Sequence, residues 1–183
     1  MHNILEWSED LDLRKFYLES ASRGFVNNSS QKRMIDTFKN EREWSAWILY
    51  KDSDAIGSVV AHSFDEVMGT KTYRVLVRTC TFSEYGNKSL IKPSKSIAQH
   101  QNLTDQFLLP VCLEWSKGRT FATSNDSKVA SQRLVHKYYF PTLEKMGIVK
   151  NIKDVFYRNT NQTVWEIFPE KFLENLNKYP RWQ

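Results

Sequence analysis

Residues 73–82 read Tyr-Arg-Val-Leu-Val-Arg-Thr-Cys-Thr-Phe. Alternation puts Val75, Val77, Thr79 and Thr81 on one face, and Leu76, Arg78, Cys80 and Phe82 on the other. Both faces are largely apolar, which is the pattern of a strand inside a sheet covered on both sides. A helix is expected next over 103–117, with Phe107, Leu108, Val111, Cys112 and Trp115 on one side and Gly118 as its stop. Pro110 lies inside it and implies a kink or a late start. A short strand follows over 119–124. Strand, crossover helix and strand make a parallel pair, because a tight hairpin cannot join parallel neighbours.

Hairpin patterns flank that unit. Residues 43–50 and 55–64 read as strands joined by the polar turn Lys51-Asp52-Ser53-Asp54. Residues 66–71, with Gly69, make the next turn. Residues 148–157 and 163–168 read as a second pair joined by Arg158-Asn159-Thr160-Asn161. Two helices are expected before the first hairpin. One covers 9–23, capped by Ser8 and stopped by Gly24, and the other runs from Ser29 or Ser30 through Asn40. A further helix is expected from Asn125, Asp126 or Ser127 to Met146, interrupted by Pro141 and ended by Gly147. Pro169 opens a tail helix over about 169–179 that carries Phe172 and Leu176. The class is α/β in the broad sense, strictly α+β: a mixed central sheet of about six strands with helices on both faces. No repeat or linker divides the 183 residues, so one domain spans 1–183.

Composition removes several function classes. No apolar run approaches the roughly 18 residues of a membrane span. Met1 to Asp12 is acidic and mixed, unlike a secretion signal, so no membrane partner and a reducing cytoplasmic setting are expected. The two cysteines, Cys80 and Cys112, make no disulfide framework. Neither do they share metal-ligand spacing with His2, His62, His100 or His136, so no metal is expected. Cys80 has no neighbour in sequence that lowers its pKa and reads as a small buried hydrophobe. Net charge is +5, from 26 basic and 21 acidic residues. No Lys/Arg stripe interleaves with aromatics, which disfavours nucleic acid. The anomaly is local: no acid occurs from Tyr85 to Thr104, a stretch that carries Lys88, Lys92, Lys95 and His100. It is either a solvated loop or a phosphate-facing one.

The order ααβββαβαββα resembles the GCN5-related N-acetyltransferase (GNAT) superfamily over nearly the whole chain. Trp47 to Phe64 resembles the family's opening hairpin, with Gly57 just past the turn, and Leu143-Glu144-Lys145-Met146-Gly147-Ile148-Val149 resembles the end of its last long helix. The resemblance implies that strand 73–82 splays from strand 119–124, and that the gap takes the pantetheine arm of acetyl-CoA or another acyl-CoA. Ser83-Glu84-Tyr85 resembles the strand exit. Gly86-Asn87-Lys88-Ser89 departs from the family's Gln/Arg-x-x-Gly-x-Gly/Ala phosphate loop, and an insertion through about Gln101 delays the helix. Pyrophosphate requires inward backbone N–H groups and a nearby helix N-terminus rather than one glycine pattern. Lys88, Lys92 and Lys95 supply attraction as point charges.

Residue by residue, the resemblance implies that backbone groups of Cys80, Thr81 and Phe82 bond pantetheine. Asn125 either contacts the cofactor arm or only caps a helix. The family's acidic Tyr falls on Leu143 here. Tyr139 or Tyr138 is then the substitute if Pro141 bends the helix, and otherwise both are packed aromatics. Glu84 is the nearest candidate for general base, ahead of Glu66 and His136. Arg78, on the same face as Arg74, either binds an acidic substrate group or pairs with a structural carboxylate. Three functions follow in order. The first is an acyl-CoA-dependent N-acyltransferase acting on an amine, monomeric or homodimeric, in which the amine attacks the thioester directly and backbone amides stabilise the oxyanion. The second is a catalytically inactive module of the same fold. The last is a basic nucleic-acid-binding domain.

Overall fold

A computed structural model describes residues 2–6, 43–51, 54–79, 103–117, 119–128, 133 and 135–178. The two helices expected over 9–23 and 29–40 lie outside them. The strands are β1 (His2–Glu6), β2 (Trp44–Lys51), β3 (Asp54–Ser63), β4 (Thr72–Thr79), β5 (Arg119–Ser124), β6 (Val149–Tyr157) and β7 (Thr160–Ile167). The helices are α1 (Asp65–Met68), α2 (Leu103–Ser116), α3 (Phe140–Lys145) and α4 (Pro169–Lys178). They form one sheet in the order β1-β2-β3-β4-β5-β7-β6. Among the described residues only β4 and β5 run parallel; the other neighbours are antiparallel.

Among the described residues the sheet has seven strands where the sequence suggested about six. The extra one is β1, whose Ile4 and Leu5 sit opposite Leu49 and Ile48 of β2. Five residues are too few for alternation to stand out from a mixed N-terminus. The closing hairpin is also tighter than expected. Its turn is Arg158-Asn159 alone, at φ 51° and 63°, so Thr160 to Gln162 already belong to β7. Two successive left-handed residues are the two-residue hairpin geometry that matches strand twist. The Arg158 guanidinium lies 5.1 Å from the centre of the Tyr157 ring.

Alternation divides the sheet into two faces. The first packs α2, α3 and α4 over Trp47, Leu49, Val59, Ala61, Val75 and Ala122. The stripe of α2 is Leu109, Cys112, Leu113 and Ser116, spaced three and four apart. This is a rotation from the expected face, which leaves Val111 and Trp115 half-buried at its flank. Trp115 still meets Trp47 and Tyr73 edge-on, at 5.7 and 5.1 Å between ring centres. The helix passes through Pro110 with no late start. The second face buries Phe64, Phe121 and Val164, with Val67 and Met68 of α1 against them.

The segment expected as one helix from about 125 to 146 is divided. Asn125 to Ser127 are non-helical, Val135–Tyr139 forms a turn of π-helix, and α3 restarts with Pro141 in its first turn. Proline lacks the N–H that an interior helical position needs, and a first-turn position does not need it. Gly147 closes α3 at φ 71°. Its N–H donates to Glu144 O at 2.9 Å, and Ile148 N–H donates to Leu143 O at 3.0 Å. These are the paired bonds of a left-handed helix stop. A methyl group built on Gly147 meets nothing within 4 Å. Gly147→Ala therefore costs the backbone term alone, about 1 kcal/mol. Gly147→Asn is expected to cost less, and urea midpoints of the three proteins check the order.

Candidate functional site

The parallel pairing is short. Thr72, Tyr73 and Arg74 sit opposite Arg119, Thr120 and Phe121, and among the described residues the register stops there. Beyond that point each strand remains bonded on its outer side. β4 continues against β3 as far as Thr79 opposite Gly57, and β5 continues against β7 as far as Ser124 opposite Thr163. The inner edges, 75–79 and 122–124, thus diverge between two braced walls. Each edge carries backbone donors and acceptors that the ladder leaves to another partner.

The apex of this wedge is pinned by a side chain. Arg74, the last residue of β4 paired with β5, is buried at 6% exposure. Its Nε donates to Thr123 Oγ1 of β5 at 2.9 Å, two residues past the end of the pairing. A terminal nitrogen donates to His62 Nε2 at 3.2 Å. His62 is fully buried, and its Nδ1–H donates to the Ser63 carbonyl at 2.8 Å, which leaves Nε2 as the acceptor. The guanidinium also lies 5.3 Å from the centre of the Tyr157 ring. One planar fork thus ties β3, β4, β5 and β6 together on the second face.

At the open end of the wedge, Ser124 is the corresponding hub on the helix face. Trp165 Nε1–H donates to Ser124 Oγ at 2.8 Å. Ser124 Oγ also lies 2.9 Å from His136 Nδ1. Indole only donates, so Ser124 Oγ accepts from Trp165 and makes its other bond to His136 Nδ1, as donor or acceptor according to the imidazole tautomer. Beside this hub a cavity of about 500 Å³ opens between the π-helical turn and the last hairpin.

Of the residues singled out from sequence, Cys80, Thr81, Phe82, Glu84, Lys88, Lys92 and Lys95 lie outside the described residues. The backbone of Arg78 stands opposite Ser58. Asn125 is half-buried directly after Ser124. Tyr138 and Tyr139 share the π-helical turn. Tyr138 is 51% exposed, whereas Tyr139 is half-buried and edge-on to Phe140 at 5.5 Å between ring centres. Glu66 is exposed on α1. His136 is bonded to Ser124, a role its sequence position did not reveal. Ser124, Thr123, Trp165 and Asp154 carry no sequence motif and were not singled out. Arg74 carried one signal, a charge within a covered strand.

Two other groups are committed to structure. Burial pushes the Cys112 thiol far up, so it is no nucleophile. Tyr73 donates to Glu43 Oε2 at 2.7 Å, and burial first, then Glu43, raises its phenol. Among the described residues no three His, Cys, Asp or Glu side chains group as a metal site. None of the described helices is long and apolar enough to cross a membrane.

The fold of the described residues, one sheet with a single parallel pair, is similar to that of solved acetyltransferases. An acyl-CoA N-acyltransferase from Pseudomonas aeruginosa superposes with a TM-score of 0.51 at 12% identity, covering 92% of this chain and 100% of the other. A protein from Desulfovibrio desulfuricans assigned to the GNAT acetyltransferases gives 0.51 at 12% identity, covering 91% and 98%. An aminoglycoside 6'-acetyltransferase type Ii gives 0.52 at 14% identity, covering 91% and 97%. The chain has the GNAT fold. No family model and no curated protein matches it by sequence.

Proposed function

We propose that this protein is an acyl-CoA-dependent N-acyltransferase, most simply an acetyltransferase acting on an amine. The observation that carries the reading is the wedge between β4 and β5. Its inner edges offer extended backbone at 75–79 and 122–124 while both outer edges stay paired. That is what an amide-bearing arm such as pantetheine needs in order to lie between two strands as a pseudo-strand. The chemistry supplied by acetyl-CoA there is an activated thioester.

In this reading the backbone of Cys80, Thr81 and Phe82 continues the inner edge of β4. Lys88, Lys92 and Lys95 face the phosphates, and Asn125 faces the cofactor arm from the end of β5. Glu84 receives the amine proton, directly or through water, and Tyr138 or Tyr139 protonates the departing thiolate. Arg78 meets an acidic group of the acceptor.

Calorimetric titration with CoA and acetyl-CoA tests the reading. The expected result is micromolar affinity, reduced at least tenfold in a K88A/K92A/K95A variant whose melting temperature is unchanged. Absence of binding at millimolar cofactor overturns it and leaves a GNAT fold used for something other than acyl transfer.

A further inference from the structure

The cavity beside Ser124 has walls of opposite character. The helical wall presents His136, Lys137 and Tyr138; the strand wall presents Asn151, Asp154 and Trp165. On the strand side, Asp154 spends one carboxylate oxygen on the Thr163 hydroxyl at 2.6 Å, and its other oxygen has no partner among the described residues. On the helix side, the Ser124 bond occupies His136 Nδ1 and leaves Nε2 for another partner. Lys137 is held by Asp126 at 3.1 Å, both about half exposed. An exposed pair of this kind is worth at most about 1 kcal/mol, so the ammonium is readily released to a better partner. The Trp165 ring between the walls is fixed by stacking on Phe140, 5.2 Å away and 7° from parallel. Tyr138, half exposed, stands at the rim.

We infer that this cavity binds a small aminocarboxylate, its ammonium on Asp154, its carboxylate on His136 and Lys137, and its apolar part against Trp165 and Tyr138. A ligand with only a cation would face the Lys137 charge, and one with only an anion would face Asp154. A zwitterion satisfies both walls. The volume lies within the roughly 300–1,000 Å³ usual for small-molecule sites. The inference stands on the cavity alone and does not rest on the transferase reading.

The test is calorimetry without cofactor, using L-phenylalanine, phenethylamine and 3-phenylpropionate as probes. L-Phenylalanine is expected to bind at least tenfold more tightly than either singly charged analogue. Asp154→Asn and Lys137→Ala are each expected to lower its affinity fivefold or more. Both side chains are exposed, so the folds should survive, and melting temperatures verify this. Lys150→Ala, on the same edge strand but outside the cavity, should change nothing. The inference is overturned by silence of all three probes at millimolar concentration, by equal binding of L-phenylalanine and either analogue, or by an Asp154→Asn variant that binds as the parent does. Failure here leaves CoA binding untouched, and failure of CoA binding leaves this result standing.

Discussion

Arg74→Met lowers the stability of this protein by about 3–5 kcal/mol, the loss of two hydrogen bonds from a charged donor at about 1.5–3 kcal/mol each. The variant keeps most of the side chain's apolar volume, so a large loss is not a cavity effect. It strands Thr123 Oγ1 and His62 Nε2, which Arg74 now serves at 2.9 and 3.2 Å. It also removes the cation above the Tyr157 ring. Each buried polar atom left unpaired costs about 1–3 kcal/mol. Arg74→Lys restores the charge but not the fork, because an ammonium on a flexible stem cannot hold the same flat geometry. It should recover less than half of the loss. For a chain of this length, about 2–4 °C of melting temperature accompanies each kcal/mol, so a fall of roughly 10 °C is expected for Met. Denaturant unfolding of the three proteins measures it, and an Arg74→Met midpoint equal to wild type refutes the account. A functional consequence accompanies the structural one. Thr123 is the first β5 contact beyond the paired register, so losing it loosens the apex of the wedge. On the transferase reading, CoA affinity of Arg74→Met should drop even well below its melting temperature.

Sequence patterning located the parallel pair well, since β5 spans the expected residues 119–124. Its two flanking signals, an apolar strand and an amphipathic crossover, are long and periodic. β1 was missed because its order comes from pairing with β2 rather than from its own five residues. The closing hairpin was misjudged because Arg158 is an unusual residue for a left-handed turn, and strand pairing on both sides outweighs that preference. The division of the 125–146 helix was foreshadowed at Pro141, but the π-helical turn before it has no sequence signature. Site legibility followed the same line. The wedge was implied only by the GNAT resemblance that the element order carries. The Ser124, His136 and Trp165 hub joins residues 12 and 41 positions apart in sequence, and no local pattern encodes such a contact. Arg74 was visible only as a cost that needed paying for. The structure supplies its partners, of which His62 and Tyr157 come from different hairpins.

Trp47→Ala is expected to cost about 3–5 kcal/mol, the usual range for deleting a buried large aromatic side chain. Trp47 is fully buried at the centre of β2, between Glu6 of β1 and Val59 of β3. Its ring holds Trp115 edge-on, and Trp115 holds Tyr73, so the contact couples the first hairpin to α2 and through it to β4. Collapse around the hole is limited because each neighbour is fixed by a strand ladder or by the α2 stripe. Trp47→Phe separates the two components of this cost. Trp47 Nε1 is buried with no hydrogen-bond partner among the described residues. A phenyl ring loses part of the indole's volume but removes that orphan donor, whose burial costs about 1–3 kcal/mol. The two changes oppose each other, so Trp47→Phe should lose less than half of what Trp47→Ala loses. Urea midpoints at matched m-values decide it. If Trp47→Phe proves as damaging as Trp47→Ala, the indole N–H has a partner worth keeping, and the orphan-donor argument fails. If Trp47→Ala itself is mild, the packing of α2 onto the first hairpin is not what holds the wedge's outer wall, and β3 alone must brace β4.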